Sequence, residues 1–304
     1  MLSLNLPSPI QLLTHPIFDA HQLTVHIKRD DLIDPNISGN KWRKLKYNLQ
    51  AAQQQNCNAL ASFGGAYSNH LRAVAAAGAG LGLATFGFVR GEPSAIINQN
   101  LRFCQQAGMT LFYIDRATYR QKYYPDVFSQ LQAQIPENFN PYWLPDGGSN
   151  HYAVKGCAEL IPEITQQLGF CPNYFVCPVG TGGTLAGLAT ALDGHQSATR
   201  ALGIAVLNDG SYLKSLVDAL LLGYNNKGCD FTIFDQFTFG GYAKTNDELL
   251  NFMRLFEETY AIPLDFVYSG KMVYGVLQLA QQGYFAKNSS LVLLHTGGYA
   301  NAGL

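Results

Sequence analysis

The chain has 304 residues, 47% of them apolar and 13% charged, with 20 basic against 21 acidic residues and a formal net charge of −1. That length suits one large ordered α/β domain or two smaller ones rather than a single minimal core. The near-neutral balance excludes the basic footprint of a nucleic-acid or anionic-membrane binder, and the longest apolar runs, such as 291–294, are far too short to span a bilayer. The opening residues Met1-Leu2-Ser3-Leu4-Asn5-Leu6-Pro7 lack the basic start and long apolar stretch of an export signal, so a cytoplasmic location is expected. The six cysteines form no CxxC pair and the seven histidines are scattered, which argues for reduced thiols and against a structural zinc site.

In chain order, alternation over 23–28 predicts a strand that runs through Lys28-Arg29-Asp30-Asp31 into a helix ending near 55. Ser38 is the expected N-cap of that helix, with Leu45 and Leu49 on one face. A β-α rhythm follows: strand 59–63, helix 69–80, strand 84–89, helix 98–108, strand 110–114, then a helical stretch over 117–135 broken near Tyr124-Pro125. Residues 141–148 are expected to be a turn-rich crossing segment. The second half predicts helix 152–169, strand 174–177, helix 184–192, strand 202–207, helix 213–222, strand 232–234, helix 247–260, helix 271–283 and strand 291–294. The outline is two open-sheet α/β units facing each other across a ligand cleft.

Three strand-to-helix junctions and two tyrosines carry the chemistry. In Ser38-Gly39-Asn40-Lys41-Trp42-Arg43-Lys44-Leu45 a lysine follows a Gly-Asn turn at a helix N-terminus. The helix dipole and the folded backbone there disfavour its charge, so Lys41 is suited to attack a carbonyl. In Pro178-Val179-Gly180-Thr181-Gly182-Gly183-Thr184 three glycines admit an anion to the free N–H groups of a helix start, and two hydroxyls add donors. The dinucleotide and Walker spacings both fail here, which leaves a monophosphate cradle. In Gly64-Gly65-Ala66-Tyr67-Ser68-Asn69-His70, Ser68 and adjacent amides could hold a carboxylate and Asn69 a phenolate oxygen. Thr296, in Leu293-Leu294-His295-Thr296-Gly297-Gly298, falls at a strand's carboxyl end. Gly241-Tyr242 and Tyr268-Ser269-Gly270-Lys271 put two tyrosines in loops. Taken singly, each has an ordinary alternative: a solvated lysine, a tight glycine turn, an N-cap serine, packing tyrosines with a wet tip.

Together, in this order over nearly the whole chain, these motifs resemble the fold type II pyridoxal-phosphate enzymes, the tryptophan synthase β-like class. Within it the chain is most similar to the D-cysteine desulfhydrase and 1-aminocyclopropane-1-carboxylate (ACC) deaminase family. The resemblance implies that Lys41 holds pyridoxal 5'-phosphate as an internal aldimine and then exchanges protons at the substrate Cα. It implies that Asn69 contacts the ring hydroxyl and that Gly180, Thr181, Gly182, Gly183 and Thr184 bind the phosphate. The substrate carboxylate would fall to Ser68 with its neighbours Asn69 and His70, and the substrate side chain to Tyr242 and Tyr268. It also implies a homodimer, a large domain (residues 1–46 and 150–304) and a small inserted one (47–149).

ACC deaminase-like sequences carry Glu after the second tyrosine and Leu in the terminal-strand motif, where this chain has Ser269 and Thr296. A hydroxyl partner is expected to leave the pyridine nitrogen nearer neutral, a weaker electron sink that suffices for a good leaving group such as thiolate. The expected reaction is therefore β-elimination from D-cysteine, giving pyruvate, ammonia and hydrogen sulfide. The alternatives are ACC deaminase, a hydroxy-amino-acid dehydratase or racemase, and a cofactor-binding protein with little turnover.

Overall fold

The computed structural model describes residues 4–37, 39–93, 97–193, 199–224 and 230–298. The expected Ser38 cap and the sixth cysteine, Cys229, lie outside the described residues. The first half contains β1 (Ile10–Leu12), α1 (Pro16–Ala20), β2 (Thr24–Lys28), α2 (Asn40–Gln54), β3 (Ala59–Gly65), α3 (Asn69–Leu81), β4 (Ala84–Arg90) and α4 (Gln99–Gln106). Next come β5 (Met109–Ile114), α5 (Arg116–Gln121), α6 (Pro125–Gln132) and β6 (Pro141–Leu144). The second half contains α7 (His151–Ala158), α8 (Leu160–Leu168), β7 (Tyr174–Val179), α9 (Gly183–Leu192), β8 (Arg200–Ala205) and α10 (Gly210–Leu221). It closes with β9 (Phe231–Phe234), α11 (Asp247–Tyr260), α12 (Ser269–Gln281) and β10 (Ser290–Leu294).

Two sheets form. One has the order β1-β2-β10-β7-β8-β9 and is parallel except for its edge strand β1; the other, β5-β4-β3-β6, is parallel throughout. Alternation along β10 sends Leu291 and Leu293 into a core shared with α1, α11 and α12, and Val292 and Leu294 into a core shared with α8, α9 and α10. The smaller sheet is likewise covered on both faces: Leu60 and Val89 pack toward α2, α3 and α4, while Phe63 and Phe88 meet residues of α5 and α6. Sheets buried on both faces need apolar side chains on both, which is why β7 and β10 are nearly continuous apolar runs.

The structure departs from the sequence expectation in several places, among them the starts of β8 (Arg200, expected at 202) and α10 (Gly210, expected at 213). Residues 141–144 form β6, an edge strand paired only with β3. Its first residue is Pro141, a position where a missing N–H costs no ladder bond. The single helix expected over 152–169 is two, because Pro162 in the first turn of α8 has no N–H to give to the carbonyl of Ala158. The helix expected from residue 271 starts at Ser269, with Tyr268 at its N-cap. β1 and α1 were not foreseen: at three and five residues they are too short for a periodic signal.

Candidate active site

The cleft lies where strands of both sheets end. Gly65 (β3), Arg90 (β4), Gly180 (after β7) and Leu207 (after β8) line one cavity of about 300 Å3 together with Lys41, Ser68, Asn69, His70, Thr181, Tyr242 and Tyr268. Carboxyl ends of parallel strands are where open α/β sheets hold ligands, since the strand-to-helix loops leave unpaired donors there.

The entry into α2 is built on Gly39, whose backbone (φ +67°, ψ −147°) is open essentially to glycine alone. A Cβ on it would stand 1.7 Å from the carbonyl oxygen of Thr296, the same oxygen that accepts from the Asn40 N–H at 3.3 Å. The start of α2 thus rests on the loop after β10. Gly39 is the cap, without a side-chain bond.

Lys41 Nζ donates to Asn40 Oδ1 at 2.9 Å, and Asn40 Nδ2 donates to Thr184 Oγ1 at 2.6 Å. The amine is thereby referenced to the glycine-rich loop. Burial and the charge of Lys44 lower the Lys41 pKa to about 7, against the opposing pull of Cys157 and Asp265. The amine is largely neutral just above neutrality, as a nucleophile must be.

Lys41 Nζ lies 5.7 Å from the centre of the Tyr268 ring, and Tyr268 OH is 3.4 Å from Tyr242 OH. Burial raises both phenols above the usual tyrosine range, so both keep their protons near neutral pH. Across the cavity, Ser68 caps α3 with its Oγ accepting from the Leu71 N–H at 3.3 Å. His70 is buried and held well below the usual histidine range by that burial and by Lys41 and Lys44. Ser62 Oγ gives its proton to the carbonyl of Leu144, so His70 Nε2, 2.9 Å away, is the protonated nitrogen and Nδ1 a bare acceptor.

The glycine-rich loop opens α9 with Gly182 at φ +77°. Gly180 and Thr181 line the cavity, while Gly182, Gly183 and Thr184 are buried behind it. Sequence reasoning missed Lys44, one turn beyond Lys41. It is buried, and its Nζ bonds Gly147 O (3.1 Å), Ser149 Oγ (2.9 Å) and Thr181 Oγ1 (3.4 Å). A buried cation whose three N–H groups are already taken, a helix N-terminus and a hydroxyl converge there; the lysine adds charge while the amides and the hydroxyl donate, a set suited to a phosphate monoester.

Ser269 and Thr296 are buried and outside the cavity lining. Ser269 Oγ donates to Asp265 Oδ2 at 2.7 Å and accepts from the Asp265 N–H at 2.8 Å. Its only remaining capacity toward a ligand is a lone pair. Asp265, like Arg90, Tyr119 and Asp146 on the cavity wall, has no motif to announce it; its helix-entry geometry exists only in three dimensions. Arg90 and Asp146 stand at or just past strand ends, a signal that could have found them.

A reactive amine beside a phosphate-type cradle fits pyridoxal phosphate, and comparison with known proteins agrees. The profile of the family described as pyridoxal-phosphate dependent enzyme matches residues 5–297. The bifunctional D-cysteine desulfhydrase/1-aminocyclopropane-1-carboxylate deaminase, mitochondrial, of Arabidopsis thaliana is 28% identical, covering 97% of this chain and 77% of that protein. The D-cysteine desulfhydrase of Yersinia enterocolitica is also 28% identical, covering 90% and 86%. A solved structure described as an ACC deaminase homologue superposes with a TM-score of 0.85 at 30% identity, over 98% of this chain and 91% of that one. This chain therefore belongs to the pyridoxal-phosphate-dependent enzymes of the tryptophan synthase β-like fold.

Proposed function

We propose that this protein is a pyridoxal-phosphate-dependent lyase that eliminates the β-substituent of a small amino acid, D-cysteine above others, so that D-cysteine and water become pyruvate, ammonia and hydrogen sulfide. When bound, the cofactor supplies an electron sink for the negative charge left at Cα. The observation that carries the reading is Lys41, a lysine whose pKa falls to about 7, fixed by Asn40 at the mouth of a phosphate-type cradle and facing a pair of protonated tyrosines.

Lys41 holds the cofactor and moves the proton at Cα. Gly180, Thr181, Gly182, Gly183 and Thr184, with Lys44 behind them, hold the phosphate, and Asn69 the ring hydroxyl. The Ser68 hydroxyl and the first amides of α3, through Asn69 and His70, orient the substrate carboxylate. Tyr242 and Tyr268 stand at the substrate side chain, where a phenol can protonate the departing thiolate. Ser269 and Thr296, buried and outside the cavity lining, are assigned toward the pyridine nitrogen on the resemblance alone.

One observation favours a second reading, ACC deaminase. The hydroxyl of Ser269 is already spent on the buried Asp265 carboxylate, so a ring nitrogen in contact with Ser269 meets an acceptor and is kept protonated. The electronic gap between a serine and a glutamate partner is thus narrower than the residue types alone imply. Purified protein with D- and L-cysteine, assayed for sulfide and pyruvate, tests the first reading, and 2-oxobutyrate from ACC tests the second. Sulfide from neither cysteine isomer removes the desulfhydrase.

The division into residues 1–46 with 150–304 and residues 47–149 is part of the proposal. It is supported by the four-stranded sheet drawing all its strands from 59–144, with α2 as the shared element. A homodimer is proposed on the resemblance and is checked by light scattering of the purified protein.

A further inference from the structure

We propose that Lys271 is the positioning residue for Tyr242, its buried ammonium serving as a built-in monovalent cation for three backbone carbonyls. The kinetic consequence rests on the role given to Tyr242 above; the structural one does not.

The segment that carries Tyr242 cannot hold its shape on local preference. Phe239 (φ +50°), Gly240 (+91°), Gly241 (+116°) and Ala243 (+56°) all lie in the left-handed region, so four of five consecutive residues are there and two of them have side chains. Each such non-glycine residue is strained and persists only where the surroundings over-determine it. Among the described residues, two side chains clamp the segment's carbonyls. Asn208 accepts from Thr238 Oγ1 at 2.7 Å and donates to the Gly240 carbonyl at 3.3 Å, but Asn208 is itself exposed.

The buried clamp is Lys271. Its side chain is fully buried, and Nζ donates to the carbonyls of Thr238 (2.7 Å), Gly241 (2.7 Å) and Val206 (3.3 Å). Two of those carbonyls already accept a backbone bond, from the N–H groups of Gly241 and Lys244. Three N–H donors meet three oxygens, which saturates an ammonium. Among the described residues no carboxylate pairs with it at ion-pair distance. Burial lowers its pKa to about 8, and Asp265 opposes the shift, so the charge remains near neutral pH. One cation ringed by neutral carbonyl oxygens is the way proteins coordinate potassium-sized ions.

The placement links the two tyrosines. Lys271 is in the first turn of α12, the helix that Tyr268 caps, and it pulls on both ends of the bend before Tyr242 and on the exit of β8. Both phenols are thereby referenced to one helix end, and their oxygens stand 3.4 Å apart.

The test uses the full-length holoenzyme with Lys271→Ala and Lys271→Met, ammonium or methylammonium chloride at tens of millimolar, and sodium chloride at matched ionic strength. Both variants are expected to lose about a hundredfold in kcat on the amino acid the wild type turns over, as for a lost general acid, while KM changes little. In Lys271→Ala, ammonium or methylammonium should recover at least about tenfold of that loss and raise the melting temperature; sodium should do neither, and the wild type should ignore all three. The melting arm needs no substrate, so it holds even if the desulfhydrase reading fails. A Lys271→Ala variant whose melting temperature and kcat ignore both ammonium ions overturns the proposal. Lys271→Met keeps the packing of the stem: a folded Met variant with wild-type kcat overturns the proposal even if the Ala variant aggregates, and one with the kcat loss supports it.

Discussion

At Lys41 the decisive quantity is how much its environment disfavours a charge. Burial and Lys44 move its pKa from 10.5, where an ordinary lysine titrates, down to about 7. Only the neutral amine attacks an aldehyde, so labelling of Lys41 in cofactor-free protein should rise about tenfold per pH unit below 7 and flatten above about 8. A surface lysine would keep rising toward pH 10. Borohydride reduction followed by peptide mass spectrometry reads the pyridoxyl adduct at each pH, and Lys41→Ala should abolish it. An adduct retained on another lysine in that variant would show that the wrong amine was chosen. The same reasoning ranks the neighbours: His70, neutral with a bare Nδ1, offers an acceptor, whereas Lys44, spent on three oxygens at the cradle, offers charge.

At the scale of the element, α2 is where strand ends, cradle and amine meet, and its entry depends on one glycine. Gly39 and Gly82 share a positive φ, +67° and +70°, but Gly39 has ψ −147°, where a side chain is hardly tolerated, against +25° in the left-handed well for Gly82, and of the two only Gly39 has a neighbour in the way, the carbonyl of Thr296. Gly82→Ala should cost only the handedness penalty of about 1–2 kcal/mol. Gly39→Ala must also displace the loop after β10, and should cost beyond about 3 kcal/mol and weaken cofactor retention. Urea unfolding of the two variants side by side, with absorbance of bound cofactor, reads the combined cost of the clash and of the glycine-only backbone at Gly39 against an unobstructed left-handed glycine. Equal losses would mean that the loop yields and the backbone at 39 relaxes freely.

Across the whole molecule, a buried ionic network ties the lysine helix to the larger sheet. Arg43 of α2 donates to Asp30 (2.7 Å to each oxygen) and to Glu163 of α8 (2.9 and 3.0 Å), and Lys28 of β2 also pairs with Glu163 at 2.5 Å. Removing one partner strands the others in a dry interior, so Asp30→Ala should cost about 3–5 kcal/mol in urea unfolding. Burial raises the Glu163 pKa, but Arg43 and Lys28 outweigh it and hold the carboxyl below its usual 4.5. Its folded pKa being depressed, its stabilisation is present above pH 4.5 and is lost as pH falls through the folded value. Glu163→Gln should therefore flatten the acid limb of the stability profile below pH 4.5, and an unchanged limb would mean that other carboxylates set it.

Periodicity and junction chemistry, both local properties, are written along the chain. The alternating strands and helices, the lysine behind Gly39-Asn40 and the glycine loop before α9 could accordingly be read from residues alone, and helix 247–260 was read to the residue. Contacts between residues far apart in sequence have no such signature. The edge pairing that turns 141–144 into a strand, the Asp265 that occupies Ser269, and the Lys44 that reaches Thr181 across 137 positions are decided only when the sheets pack. Which groups can react is legible in one dimension, because reactivity begins with residue type and local backbone. Which of them are desolvated, paired or left open emerges on folding, because burial and long-range charge exist only in the folded chain.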